Sequence, residues 1–148
     1  MLMILKQLSI FLENKPGTLS APCRALADAG INIQTFALAD TQKFGILRLV
    51  VHEWEKARRV LLDGGWTVKV TDVVAIEVPD APGGLASLFE VFERGSINVE
   101  YMYPFTAKQE GKGLMLFRFD DPDAAVKALQ ANKVSVVGTV ELFKRLGN

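Results

Sequence analysis

The sequence predicts an α+β protein made of two βαββαβ units, each an antiparallel sheet with helices on one face. Three observations lead there. An internal repeat aligns turn residues as well as apolar ones. The hydrophobic pattern switches between period two and helical period in the same order twice. The composition is also rich enough to build a core: hydrophobic residues make up 49% and charged residues 23% of the 148 residues, unlike a disordered chain.

The repeat appears when Leu8–Ile33 is written above Val74–Val99. Ile10 falls on Ile76, Pro16 on Pro82, Gly17 on Gly83 and Leu19 on Leu85; Ile31-Asn32-Ile33 falls on Ile97-Asn98-Val99. After a slip of two residues, Gly45 meets Gly113, Ala57 meets Ala125, Leu61 meets Leu129 and Val68 meets Val136. A shared core pattern alone would not align Pro, Gly and Asn at loop positions. The chain is therefore read as two copies, 1–71 and 72–148, joined near Thr71-Asp72 with no linker.

In the first copy, Leu8, Ile10 and Leu12 alternate with Ser9, Phe11 and Glu13, which is a strand pattern. Asn14-Lys15-Pro16-Gly17 turns the chain. Leu19, Cys23, Leu26 and Ala27 recur at helical spacing, with Thr18 or Ser20 as cap, Pro22 in the first turn and Gly30 as the stop. Ile31–Ala39 and Gly45–Val51 read as strands around a turn at Asp40–Lys43. Trp54, Ala57, Val60 and Leu61 form a second helical face that ends at Gly64-Gly65. Trp66–Val70 is the fourth strand and could run on to Val78, since no Gly or Pro intervenes.

The second copy repeats the order. Val74, Ile76 and Val78 mark a strand, and Leu85, Leu88, Phe89 and Phe92 a helix face. Ile97–Phe105 and Leu114–Phe119 read as strands. Asp121-Pro122 opens a helix, with a cap followed by Pro at the first position, and Val134–Phe143 is expected to close the sheet. Strand-helix-strand-strand-helix-strand is the split βαβ, ferredoxin-like order. Units this small bury little alone, which favours fusion and oligomerisation.

Composition excludes several functions. Seventeen basic residues balance seventeen acidic ones, against the positive excess of a nucleic-acid binder. One Cys, Cys23, excludes a disulfide framework and a multi-Cys zinc site, and points to a reducing compartment. One His, His52, leaves little for acid–base chemistry. No apolar run reaches the 18 or so residues of a membrane span. Met1–Lys6 reads as a first strand rather than a signal peptide. The expectation is a cytoplasmic protein without cofactor, metal, nucleic acid or membrane.

The paired turns Asn14-Lys15-Pro16-Gly17-Thr18-Leu19 and Asp80-Ala81-Pro82-Gly83-Gly84-Leu85 carry the strongest signal. Each joins a strand to a helix start, and Asn32 or Asn98 follows at the next strand. One reading is structural: Pro and Gly make the turn, Leu is core, and Asn closes a corner. The other is an anion site. Free N–H groups at a helix N-terminus favour a carboxylate, Gly allows close approach, and Asn or Asp can hold an ammonium. Together they suit a zwitterion such as a free amino acid.

Asp/Asn-x-Pro-Gly-x-Leu, an apolar helix, and then Gly-Ile-Asn-Ile within a βαββαβ unit resembles the ACT domain. Two such units fill nearly the whole chain, so it resembles a stand-alone tandem ACT protein. The resemblance implies a regulatory module that binds an amino acid near the Pro-Gly turn and the Asn strand. The implied ligand residues are Asp80, Pro82, Gly83, Gly84, Leu85 and Asn98, with Asn14, Gly17, Leu19 and Asn32 in the first copy. Asn14 stands where the family carries an acid, Pro22 removes one helix N–H, and Ser96 stands where Gly is usual. The second turn, which keeps Asp80, is the stronger site.

Other features read as structural. Lys43–Val50 lacks the spaced aromatics that stack bases, and Gly111-Lys112-Gly113 is a hairpin turn rather than a phosphate loop. Cys23 is a small core residue and His52 a surface histidine. Tyr101-Met102-Tyr103-Pro104-Phe105 is edge-strand packing or a pocket wall. Phe11, Phe36, Leu38, Ile46 and Val50 are expected to form one outward apolar face that packs on a second chain, with Met102 and Leu116 as possible extensions. The reading is an amino-acid-binding regulatory protein, homodimeric and without catalysis. The alternative is a subunit that controls a separate metabolic enzyme.

Overall fold

The computed structural model describes residues 3–40, 43–105 and 111–147. Along the chain run β1 (Ile4–Glu13), α1 (Ser20–Asp28), β2 (Thr35–Asp40), β3 (Phe44–Val50), α2 (Trp54–Asp63) and β4 (Thr67–Pro79). Then follow α3 (Gly84–Arg94), β5 (Val99–Pro104), β6 (Lys112–Phe119), α4 (Pro122–Ala131), β7 (Val136–Val137) and α5 (Thr139–Arg145). Close contacts divide the chain into one unit of Lys6–Thr71 and another from Asp72 onward, to which Ile4 and Leu5 also belong. β4 is a single strand of 13 residues that runs through this division. The turn expected at Asp40–Lys43 includes residues 41 and 42, which lie outside the described residues.

In the N-terminal unit the strand order is β2-β3-β1-β4. Antiparallel pairing sets Leu8 opposite Leu49 and Ile10 opposite Leu47. These four pack with Leu26 of α1 and with Ala57 and Leu61 of α2 in one buried cluster. The helical spacing of the apolar residues therefore puts both helices on one face of the sheet. Cys23 is half-buried against that cluster, and His52 is exposed. β2 begins at Thr35 rather than at Ile31. The chain first closes α1 through Gly30, at φ 74°, with the Ile31 N–H donating to the Leu26 carbonyl at 2.9 Å.

The expected outward face needs correction. Phe11 and Ile46 are partners on the face away from the helices. Phe36, however, pairs with Leu49 and Leu38 with Leu47, which places both on the helix side of the edge strand β2. Val50 is buried, together with Gln7, Ser9 and Thr35, and the Gln7 amide donates to the Ser9 hydroxyl at 3.2 Å. In the other unit Met102 packs against the core cluster and Leu116 is fully buried. Strand parity separates two faces, but an edge strand can expose the residues that its neighbours bury.

The C-terminal unit repeats the order as β5-β6-β4, with β7 on the far side of β4. Val74, Ile76 and Val78 pack with Leu88, Val91 and Phe92 of α3, Phe117 and Phe119 of β6, and Ala125 and Leu129 of α4. The Phe92 ring meets Phe117 and Phe119 edge-on, with centroids 5.5 and 5.3 Å away, a favoured aromatic geometry. α4 starts as expected: the Asp121 side chain accepts the Ala124 N–H, with Pro122 in the first turn.

Its last expected strand is different. Val134–Phe143 forms only the two-residue β7 and then α5. Gly138 separates the two as the helix N-cap. Within α5, Arg145 reaches back one turn to Glu141 at 2.9 Å, a pairing that helical spacing permits and strand spacing does not. The Thr139 hydroxyl donates to the Ile4 carbonyl at 3.3 Å.

Candidate functional site

The second turn opens a cleft of about 500 Å³ in the C-terminal unit, within the range of small-molecule sites. Its floor is apolar, with Val78, Pro79, Leu88, Val91 and Val134. Its rim holds Ala81, Pro82, Gly83, Gly84 and Ser87 on one side and Glu77, Lys112, Lys133 and Ser135 on the other. Four separate stretches of chain meet here because β4 ends beside the start of β6 and beside the α4–β7 connection.

Local chemistry shapes the turn. Gly83 is the N-cap of α3 at φ 86°, with no side-chain cap and no acid in the first turn. A left-handed residue there costs glycine little. Gly84 is held by close approach: a Cβ on it would lie 2.1 Å from the Pro79 carbonyl oxygen. The Gly84 N–H donates to the Ala81 carbonyl at 3.0 Å. It is therefore committed to the turn rather than to a ligand. The donors offered by this helix start are those of the next residues, Leu85 and Ala86.

Charge converges on the rim. The Glu77 carboxylate receives Arg145 of α5, and Lys112 lies 3.4 Å from it. The hydrogen bond from Arg145 holds the Glu77 carboxyl below the usual carboxylate range; burial opposes this, and Lys112 adds to it. Arg145 is pushed further up by the same bond. Lys133 stands at φ 58°, a conformation that lysine rarely adopts. The helix start lies on one wall, and Lys112 and Lys133 line the other together with Glu77, the carboxylate that Lys112 meets; a helix N-terminus favours an anionic group.

Of the residues expected at this turn, Pro82, Gly83 and Gly84 line the cleft, whereas Asp80 and Leu85 stand on the same turn without lining it. Asp80 is exposed, with its N–H on the Gly111 carbonyl at 2.9 Å. Asn98 is not there. Its side-chain amide donates to both carboxylate oxygens of Asp120, at 3.1 and 3.0 Å. The eight residues of β6 separate the two places; at about 3.3 Å each, that is roughly 26 Å. A small ligand in this cleft cannot touch Asn98 of the same unit. β5 starts at the opposite end of the sheet from the cleft, because β4 and β5 run parallel, each antiparallel to β6 between them.

In the first copy, Gly17 takes φ 90°, and Leu19 rather than Thr18 or Ser20 is the N-cap of α1. The Thr18 hydroxyl donates to the Glu13 and Lys15 carbonyls at 2.8 and 3.0 Å, and that of Ser20 donates to Gly17 at 3.2 Å. Pro22 is buried in the first turn. Asn14 and Asn32 are exposed. Sequence reasoning missed Lys112, Lys133, Glu77 and Ser87. Lys133 left a trace, as a lysine where the repeat carries Gly65, and Lys112 stood in the Gly111-Lys112-Gly113 stretch read as a hairpin turn. Tyr101 and Tyr103 stack on each other at 6.5 Å and do not line the cleft. Among the described residues, no group of three or more His, Cys, Asp or Glu could hold a metal. No described helix is long and apolar enough to cross a membrane.

The family model described as ACT domain pair matches residues 3–146. The chain belongs to the ACT domain pair family. A search of curated proteins finds no match. Among solved structures, protein BT0572 from Bacteroides thetaiotaomicron is 36% identical with a TM-score of 0.88, covering 96% of this chain and 97% of its own. The ligand-free regulatory subunit of aspartate kinase from Thermus thermophilus is 19% identical with a TM-score of 0.61, covering 85% of this chain and 91% of its own. The second likeness is one of fold. ACT domains are regulatory modules, and the cleft lies at the Pro-Gly turn of the second ACT unit.

Proposed function

We propose that this ACT domain pair is a cytoplasmic, homodimeric regulatory protein that binds a free amino acid and carries no catalytic activity of its own. The observation that supports it most is the cleft at the second turn. The amino-acid carboxylate meets the first N–H groups of α3 beyond Gly84 and the ammonium groups of Lys112 and Lys133. Asp80 holds the ligand ammonium. Pro82, Gly83, Gly84 and Leu85 shape the turn around the ligand. The first turn, with Asn14, Gly17, Leu19 and Asn32, is the weaker counterpart, because it offers an amide where the second offers a carboxylate.

A thermal-shift screen of the twenty amino acids tests this. A ligand at 100 times its Kd adds roughly 2.7 kcal/mol of stability. A shift with one or a few amino acids supports the reading, and no shift with any of them refutes it. A second reading is a subunit that controls a separate enzyme, with degenerate ligand sites. Its support is the fold shared with an aspartate kinase regulatory subunit.

A further inference from the structure

We infer that the amino acid in this cleft carries a large apolar side chain, leucine-like or phenylalanine-like, seated between α3 and the α4–β7 connection. The inference rests on the amino-acid reading above and narrows it to one class of ligand. Rim and floor of the cleft differ in chemistry. At the rim, Ser87, Lys112, Lys133 and Ser135 are exposed. On the floor, Val78, Leu88 and Val91 belong to the buried core cluster of the unit, and Val134 packs against it. The charged ends of a zwitterion therefore stay at the rim, and its side chain descends onto hydrocarbon. A carboxylate, amide or ammonium carried down there would trade water for methyl groups, at a cost. Each methylene buried there raises affinity about fourfold instead.

The internal repeat accounts for the space. Val134 corresponds to Trp66. Each follows the left-handed corner that ends the second helix of its unit, Lys133 in one and Gly65 in the other. Each donates its N–H back to that helix, to the carbonyl of Leu129 at 2.9 Å or of Leu61 at 3.1 Å. The backbone is thus alike at the two corners, and the side chains differ. Trp66 packs its indole against the core of the N-terminal unit, where Val134 offers only an isopropyl group. In the C-terminal unit the ligand's side chain takes the place that an indole holds in the other.

A branched or aromatic side chain has the size for that place, and those of alanine and serine do not. Leucine exceeds alanine by three carbons, so it should bind roughly 50-fold more tightly.

Titration calorimetry across the twenty amino acids tests this on the full chain. Leucine or phenylalanine should bind most tightly, roughly 50-fold above alanine, with aspartate and lysine no better than alanine. Val134→Trp installs the residue of the first copy, and should abolish binding of leucine and phenylalanine while circular dichroism stays that of the parent. Val134→Ala widens the cleft at a half-buried position, and should raise the ratio of phenylalanine to leucine affinity several-fold. That ratio decides the matter if Val134→Trp fails to fold. Tightest binding by a small, polar or charged amino acid overturns the inference and leaves the amino-acid reading standing. So does a folded Val134→Trp that binds like the parent, or an unchanged ratio in Val134→Ala. Binding by none of the twenty overturns both.

Discussion

Replacing Lys133 with glycine should stabilise the C-terminal unit while weakening whatever anion its ammonium holds. Lys133 ends α4 at φ 58°, with the Val134 N–H donating to the Leu129 carbonyl at 2.9 Å. The same corner in the first copy is Gly65, at φ 89°, with Trp66 bonded to Leu61 at 3.1 Å. The corner is a left-handed helix stop, the position that glycine usually fills. A non-glycine residue there costs about 1–2 kcal/mol. Glycine returns about 0.5–1 kcal/mol of that through the freedom of its unfolded chain. The net gain is about 0.5–1 kcal/mol, read as a rise in urea midpoint at unchanged slope. Gly65→Ala should move the other way by a similar amount, since no atom lies within 4 Å of the added Cβ and the cost is torsional. Calorimetry on the amino acid identified by the screen should show weaker binding to Lys133→Gly. A variant no more stable than the parent would refute the argument from strain. Unchanged affinity would remove Lys133 from the site.

Three further outcomes are expected. Asp80→Ala should weaken amino-acid binding 5- to 150-fold, from the roughly 1–3 kcal/mol of an unpaired charged group. Asn98→Ala should leave the cleft affinity unchanged, and equal losses in titration calorimetry would contradict the placement of Asn98 on Asp120. Gly84→Ala should destabilise the unit by more than the roughly 1 kcal/mol of ordinary point changes, because the new Cβ would meet backbone at Pro79; a melting temperature equal to the parent's would show that the turn yields. Glu77 has a lowered folded pKa, so its contribution is present above the unfolded carboxylate value and is lost as pH falls through the folded one. The stability gap between parent and Glu77→Gln should therefore narrow as acid is added below the ordinary carboxylate range. A gap that is constant with pH would remove Arg145 and Lys112 as its cause.

Features that depend on neighbours along the chain were legible in the sequence. The repeat exposed two units because Pro, Gly and Asn recur at the same corners. Asp121-Pro122 predicted its own helix start because a cap acts within three residues. The Pro-Gly turn predicted an open helix N-terminus for the same reason, and Gly83 provides it.

Tertiary structure decided whatever depends on pairing between distant segments. The register of β2 against β3 turned Phe36 and Leu38 to the helix side, because parity names two faces without saying which one an edge leaves bare. α5 replaced a strand because Gly138 broke the run and Arg145 found both Glu141 and Glu77, a contact that spans most of the unit. Lys112 and Lys133 reached the turn from later segments because β6 and β7 both lie beside β4. Asn98, alike in both repeats and expected at the ligand, sits at the far end of its sheet. Local chemistry chooses what a corner can bind, but only strand direction decides which corners share a cleft.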